Sequence, residues 1–391
     1  MEAYIVAGYR SAVAKAKKGG FRFYRPDDLG ADVIKHLVAS VPNLDPSVIE
    51  DLICGNAIPE AEQGMQIGRM VALRAGLPLT VAGVTVNRYC GSGVETISMA
   101  TAKIKAGMAD CIIAGGVESM SLLPMTGWRT VLNYEIAKGN PDYYSSMGLT
   151  AEAVAKQFNI SREAQDIFSY NSHQKAIKAI EAGKFADEIV PVTVEEVYLD
   201  ANNKRKTRTN VVAVDEGPRK DTSVEGLAAL KPVFAQGGSV TAGNSSQTSD
   251  GAAFVIVCSE KIVKQFNLTP IARMLSCTTV GVEPRIMGIG PVAAIPKALS
   301  LAGLTMNNID MIELNEAFAA QSLAVIQELG LNPEIINPNG GAIALGHPLG
   351  CSGAKLSIQL LNEMKRQNKK YGMVSACIGG GQGIASVFER L

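Results

Sequence analysis

Apolar residues along the chain fall into short β-branched runs separated by stretches of helical spacing. The run 81–86, with Val81, Val84 and Val86, predicts a buried strand, and 94–106, rich in Ala, Ile and Met, predicts the helix that follows it. Leu29, Val33, Ile34 and Leu37 predict a helix over 28–41, with His36 at a surface position. Met65, Ile67, Met70 and Leu73 predict another over 60–75, its methionines packing in the core. Residues 252–258 predict a further buried strand. Between 118 and 238 the pattern changes to an amphipathic run over 151–182 and a hairpin over 192–209 turning at Asp200-Ala201-Asn202-Asn203. Strands alternating with helices elsewhere predict βαβ units and a mostly parallel sheet with helices on its faces.

The chain also matches itself. A shift of about 260 positions superimposes separate segments without gaps. Leu44 falls on Leu304, Ile49 on Ile309, Leu52 on Ile312, Ala57 on Ala317, Asn87 on His347, Cys90 on Gly350 and Ser92-Gly93 on Ser352-Gly353. The stretch 118–238 has no counterpart. The expected organisation is therefore a first half over 1–117 and 239–268, an inserted loop domain over 118–238, and a second half over 269–391. In open α/β sheets reactive residues lie on turns beyond the carboxyl ends of strands, so equivalent turns of two related halves meet. Cys90 and His347 are expected to share one cleft.

Composition narrows the class. With 47% hydrophobic and 19% charged residues the chain has the makings of a well-buried enzyme. Lys+Arg and Asp+Glu both number 37, which gives no electrostatic case for nucleic acid or an acidic membrane surface. Seven scattered cysteines without a Cys-x-x-Cys argue against a disulfide framework or zinc site and fit a reducing compartment. No apolar run reaches membrane-spanning length, the N-terminus lacks a signal-peptide layout, and Glu389-Arg390-Leu391 is not a peroxisomal signal, so the cytoplasm is expected.

Chemistry concentrates at strand ends. In Asn87-Arg88-Tyr89-Cys90-Gly91-Ser92-Gly93 a cysteine sits where a strand turns into a helix. Helix-terminal N–H groups stabilise a thiolate, and small neighbours let a carbonyl approach. Taken alone, the turn equally suits a buried structural cysteine. His347 lies in Gly346-His347-Pro348-Leu349-Gly350, Cys377 precedes Gly379-Gly380-Gly381, and Asn315-Glu316-Ala317-Phe318 follows another strand. Together these supply a nucleophile, a base, a second acid/base and a polar group for water or an oxyanion: the parts of acyl transfer through cysteine. The Gly-rich turns lack a G-x-G-x-x-G fingerprint, which excludes a dinucleotide reading. His173, in the inserted segment, is expected at the surface. The basic arm Lys204-Arg205-Lys206-Thr207-Arg208 reads either as a solvated hairpin face or as a contact for a phosphate-bearing ligand.

These motifs, with Val240-Thr241-Ala242-Gly243-Asn244-Ser245-Ser246, make the chain resemble the thiolases end to end, and closely the 3-ketoacyl-CoA thiolase (acetyl-CoA acyltransferase) group. The resemblance implies an α/β, thiolase-like fold: two pseudo-symmetric βαβαβαββ halves in a layered α/β/α/β/α core, with a loop domain inserted in the first. It implies that Cys90 is acylated, that His347 activates it and later the CoA thiol, and that Cys377 exchanges the proton at the acetyl α-carbon. Asn315 would hold an oxyanion water, and the Cys90 and Gly379 N–H groups a second oxyanion hole. Arg219 would lie near the adenine of CoA, Phe234, Ala242 and Ser246 along the pantetheine, and Met147 and Phe318 at the reacting end. It further implies acyl-CoA and CoA as substrates, no prosthetic cofactor or metal, and a homodimer or homotetramer. Two positions depart from the short-chain biosynthetic thiolases: Ser146 stands where those carry His, and Gly226 where they usually carry Ser. The form Met147-Gly148-Leu149-Thr150-Ala151-Glu152 is closer to fatty-acid-degrading thiolases. Its expected reaction is thiolysis of 3-oxoacyl-CoA, with acetoacetyl-CoA formation as the alternative.

Overall fold

The computed structural model describes residues 2–391. Its first half runs β1 (Ala3–Ser11), α1 (Pro26–Ala39), β2 (Asp51–Gly55), α2 (Ile67–Arg74), β3 (Ala82–Val86), α3 (Ser92–Lys105) and β4 (Cys111–Ser119). A long excursion follows, holding α4 (Met147–Gln157), α5 (Arg162–Glu181) and the hairpin β5 (Val192–Leu199) and β6 (Arg205–Val212), before β7 (Ser249–Ser259). The second half runs β8 (Ala272–Gly281), α6 (Gly290–Ala302), β9 (Met311–Leu314), α7 (Ala319–Leu329), α8 (Leu349–Arg366), β10 (Tyr371–Ile378) and β11 (Gln382–Arg390).

Outward from a central seam the strands lie β1-β7-β4-β2-β3 on one side and β8-β11-β10-β9 on the other. The seam is a single antiparallel pair, Ile5 with Ala272. The counterpart of β3 in the second half is reduced to one parallel bridge, Ile312 with Ile336. Both halves thus follow βαβαβαββ. The sheet is mixed rather than mostly parallel: β2–β3, β2–β4 and β9–β10 run parallel, whereas β7 and β11 pair antiparallel on both sides. β11 follows β10 through a tight turn, as antiparallel neighbours do, and β7 returns beside β4 from the long excursion.

Helices α3 and α8 form the middle layer, their Val94, Ile97, Ile104, Leu356 and Leu360 packed between the two half-sheets. α1 and α2 cover the outer face of the first half-sheet, and α6 and α7 that of the second. Successive residues of β7 show why its sequence is apolar throughout. Phe254 and Ile256 enter the outer core, Val255 and Val257 the central one, and all four are buried.

Three sequence expectations are corrected. The run 81–86 is the half-exposed edge of the sheet, not a buried strand. Residues 60–75 are a short turn of 3₁₀ helix and then α2, separated by left-handed Met65 and Gln66. Met65, at 88% exposure, and the partly exposed Met70 lie on that open edge rather than in the core. The run 151–182 divides at Phe158–Ile160, where Asn159 takes a positive φ and Ser161 caps α5 by accepting from the Ala164 N–H.

Candidate active site

Side chains knit the turn between β3 and α3. The Asn87 amide oxygen accepts from the Tyr89 N–H at 2.9 Å, and its nitrogen donates to the Ala57 carbonyl at 2.9 Å. The Ser92 hydroxyl accepts from the Arg88 N–H and donates to the Tyr89 carbonyl. They hold Tyr89 at φ 42°, a conformation sparsely populated by side-chain-bearing residues. Cys90 follows, nearly buried against Ala57, Ile58, Met120 and Leu349. Burial pushes its thiol up to about 12, while the nearby N–H groups of Gly379 and of Cys90 itself pull it back.

His347 opens the equivalent turn of the second half. Its Nδ1 is 2.6 Å from the Ser352 hydroxyl, and its Nε2 is 3.3 Å from the Asn315 amide nitrogen. Ser352 spends its single proton on the Pro348 carbonyl at 2.9 Å, so it accepts from Nδ1–H. The Nε2 lone pair is then the basic site, and the Asn315 amide points a donor at it. Burial, followed by the charge of Lys355, lowers His347 to about 3.

Cys377 ends β10, fully buried among Met147, Ala151, Val240, Met287, Ala317 and Phe318. Burial and then the neighbouring Cys90 sulfur raise its thiol well above the usual range. After Ile378 the chain reverses through Gly379, Gly380 (φ 80°) and Gly381 (φ 81°); the positive φ of the latter two favours glycine. A Cβ added at Gly379 would lie in ordinary contact with Met147 and with Tyr89, the residue before Cys90.

The structure thus groups Cys90, Cys377 and Gly379, and separately pairs Asn315 with His347. Leu349, two residues beyond His347, joins the groups by packing on Cys90. Phe234 crosses Phe318 edge-on, centroids 6.1 Å apart, so the aromatic pair adjoins the Cys377 cluster. Ser246 donates its N–H to the Ala317 carbonyl at 2.9 Å, tying its loop to the Asn315 segment. Ala242 and Arg219 are exposed further out. The basic arm lies on β6 at the surface, where Arg208 pairs with Glu196 at 2.6 Å.

His173 departs from expectation. It is buried in α5, and its Nδ1 accepts the Arg219 N–H at 3.2 Å. Burial first, then Arg219 and Lys15, lower it to about 4, so it stays a neutral acceptor and fixes the backbone that carries Arg219.

Two buried side chains were missed by the sequence reading. Ser352 was aligned with Ser92 in the internal match, and that pairing was the available signal. Glu118, at the end of β4, gathers N–H donors from Ala57 (2.7 Å), Gly350 (2.8 Å), Gln63 (2.7 Å) and Asn56 (3.3 Å). Gly350 is the internal counterpart of Cys90. At the start of α8, therefore, a carboxylate takes the N–H whose equivalent, just ahead of α3, belongs to Cys90. No local pattern marks Glu118, because its donors come from residues 56–63 and from Gly350, both distant from it along the chain.

Comparison with known proteins matches residues 3–261 to the thiolase N-terminal domain and 268–390 to the thiolase C-terminal domain. A 3-ketoacyl-CoA thiolase of Bacillus subtilis (strain 168) is 51% identical over 388 residues, covering 99% of both chains. A beta-ketoadipyl-CoA thiolase of Acinetobacter baylyi is 46% identical over 415 residues, covering 100% of this chain and 99% of its own. The crystal structure of the Bacillus anthracis acetyl-CoA acetyltransferase superimposes with a TM-score of 0.90 at 38% identity, covering 100% and 99% of the two chains.

Proposed function

The chain belongs to the thiolase family and is an acetyl-CoA acyltransferase; from that premise we propose that it cleaves 3-oxoacyl-CoA with CoA, through an acyl group carried on Cys90. The observation that carries this reading is the packing of Cys90 against Leu349 of the His347 turn, with the Cys377 thiol and the Gly379 backbone beside it.

Neither Cys90, near 12, nor His347, near 3, is charged by itself at neutral pH. The thiol proton therefore passes to His347 Nε2 as sulfur attacks the 3-oxo carbon. The bond between C2 and C3 then breaks, leaving the acyl group on sulfur and an acetyl-CoA enolate. Asn315, with a water, and His347 steady the enolate oxygen, Cys377 delivers a proton to C2, and the His347 imidazolium passes its proton to the Cys377 thiolate, which leaves His347 a neutral base and Cys377 a thiol again. One preorganised donor of this kind is typically worth about 3 kcal/mol of barrier. CoA next gives its thiol proton to His347 and attacks the thioester, whose oxygen lies against the N–H groups of Cys90 and Gly379. Release of the shortened acyl-CoA restores the Cys90 thiol.

Arg219 receives the adenine end of CoA, Phe234, Ala242 and Ser246 flank the pantetheine, and Met147 and Phe318 enclose the reacting carbons. The packing of Met147 and Phe318 on Cys377 supports this order. Ser146 and Gly226 favour the degradative direction over acetoacetyl-CoA synthesis. A cytoplasmic site of action and a symmetric homo-oligomer belong to the same proposal, the latter supported by the open edge at β3.

Steady-state thiolysis across a 3-oxoacyl-CoA length series tests the assignment, with 3-oxoadipyl-CoA included because similar proteins bear that name. Turnover is expected beyond the four-carbon substrate; activity confined to acetoacetyl-CoA would overturn the degradative reading in favour of the biosynthetic one. Intact-mass analysis after brief exposure to acyl-CoA should show one acyl group on the wild type and none on Cys90→Ser. An acyl group found on another cysteine rejects Cys90 as the nucleophile.

A further inference from the structure

Lys355 is 1% exposed, in the middle of α8. Among the described residues its ammonium joins no ion pair. The nearby carboxylates of Glu188 and Asp215 are held instead by Arg10, at 2.8 Å and 2.7 Å, and Arg10 also grips the second Asp215 oxygen at 2.9 Å. Glu313 of β9 is buried too, with one carboxyl oxygen lacking any protein partner, and Gln359, one helical turn beyond Lys355, has neither amide atom bonded. An unpaired buried cation is costly and uncommon. This one stands three residues from Ser352 on the same helix, hence on one face with it, and Ser352 grips His347 Nδ1.

We propose that Lys355 is a positioning residue for the reaction read above: its buried charge behind Ser352 adds to burial in weakening proton binding at the His347 ring, whose Nδ1–H Ser352 holds, and so extends toward acid the pH range over which Nε2 is free for the thiols of Cys90 and CoA. The proposal rests on that reading for its catalytic meaning, but not for its electrostatics.

The surrounding charges are compatible with a charged Lys355. Burial first, then Arg10, bring its proton affinity below the ordinary lysine range, against the support of Asp215 and Glu188. Glu313 is pushed up to about 8 by burial, against the pull of Lys355, with Glu316, Glu188 and Glu363 pushing further, so it keeps its proton at neutral pH. Arg10 and Lys355 then balance Glu188 and Asp215. Around His347 itself, Ser352 and Asn315 are uncharged, Cys90 and Cys377 are neutral thiols, and the Glu118 carboxyl is occupied by its four donors. Lys355 is the charge acting on the ring.

The chain has three histidines, so ring ¹⁵N resonances can be followed individually. The test is an NMR pH titration of the full-length enzyme without substrate, as wild type, Lys355→Met and Lys355→Arg, with Lys355→Gln replacing Lys355→Met should that variant fail to fold. The His347 titration is expected to move to higher pH by about one unit, tenfold in proton affinity, when the charge is removed. It should stay at the wild-type position in Lys355→Arg, and His36 and His173 should not move in any variant. Superimposable His347 titrations in wild type and Lys355→Met overturn the proposal. The acid limb of kcat/KM is measured in parallel and should follow the His347 shift. A moved titration with an unmoved limb would uphold the electrostatic role and reject His347 as the base.

Discussion

Ser352 shows how much one hydroxyl decides. By donating to the Pro348 carbonyl it can only accept from His347, and the imidazole tautomer follows. Replacing it with Ala frees the ring to turn and to exchange tautomers. Ser352→Ala should lower kcat by up to roughly 100-fold, the scale of a small misplacement of a reacting group, with KM little changed. Steady-state kinetics with a saturable 3-oxoacyl-CoA measure both; an unaltered kcat would show that Asn315 alone orients the ring. His173 carries a parallel lesson away from the chemistry. It is a histidine kept neutral by burial so that its lone pair can hold a backbone N–H.

The two helices of the middle layer meet backbone to backbone. A Cβ on Gly93 would strike the Ala354 nitrogen, and one on Gly353 the Val94 nitrogen. These glycines match each other in the internal repeat, and their close approach sets the separation of the turns that carry Cys90 and His347. Gly353→Ala should therefore cost about 1–3 kcal/mol by overpacking, read as a lower denaturant midpoint, and should depress acyl-enzyme formation in the fraction that still folds. A midpoint equal to wild type would mean the crossing is loose enough to absorb a methyl group. The opposite case is β3. It is an edge strand with no Lys, Pro or bulge to protect it, flanked by Met65 and by Leu79 at 80% exposure. In the proposed homo-oligomer a second copy of the chain would cover it. Sedimentation velocity should give a dimer or larger, and Val84→Lys should shift the distribution toward monomer; a monomeric wild type ends that account.

At the scale of the molecule, an ion pair on a buried carboxylate, Lys184 with Glu363, ties the excursion between β4 and β7 to the second half. Glu363 of α8 accepts from Lys184 at 3.0 Å, Asn339 at 2.9 Å and Arg366 at 2.7 Å. Burial pushes this carboxyl up, but bonds from Asn339, Gln367, Arg366 and Lys184 outweigh it and hold Glu363 at about 2 against an ordinary 4.5. The folded protein thus binds this proton more weakly than the unfolded chain does. The resulting stability is complete above about pH 4.5 and disappears as pH falls toward 2. Urea midpoints of wild type and Glu363→Gln should differ most above pH 4.5 and converge on acidification. A gap that stayed constant with pH would assign the loss to packing instead of charge.

By itself the sequence determined the alternation of strand and helix, the doubling of the chain, and the motif turns around Cys90, Asn315, His347 and Cys377, because each of these depends on neighbours close in the chain. It misjudged what lies at a boundary. Val84, Met65 and Met70 are apolar like core residues, yet they stand at a sheet edge, and edge or centre is settled by which strand pairs last. His173 looked like a surface residue because burial of a single helix position depends on what packs over it. Tertiary structure alone decided that Glu118 would collect donors from both halves of the chain, that Ser352 would set the His347 tautomer, and that Lys355 would sit unpaired behind it. A hydrogen-bond network drawn from distant segments leaves no period or spacing along the chain, and the electrostatics of a buried group are fixed only when its surroundings close around it.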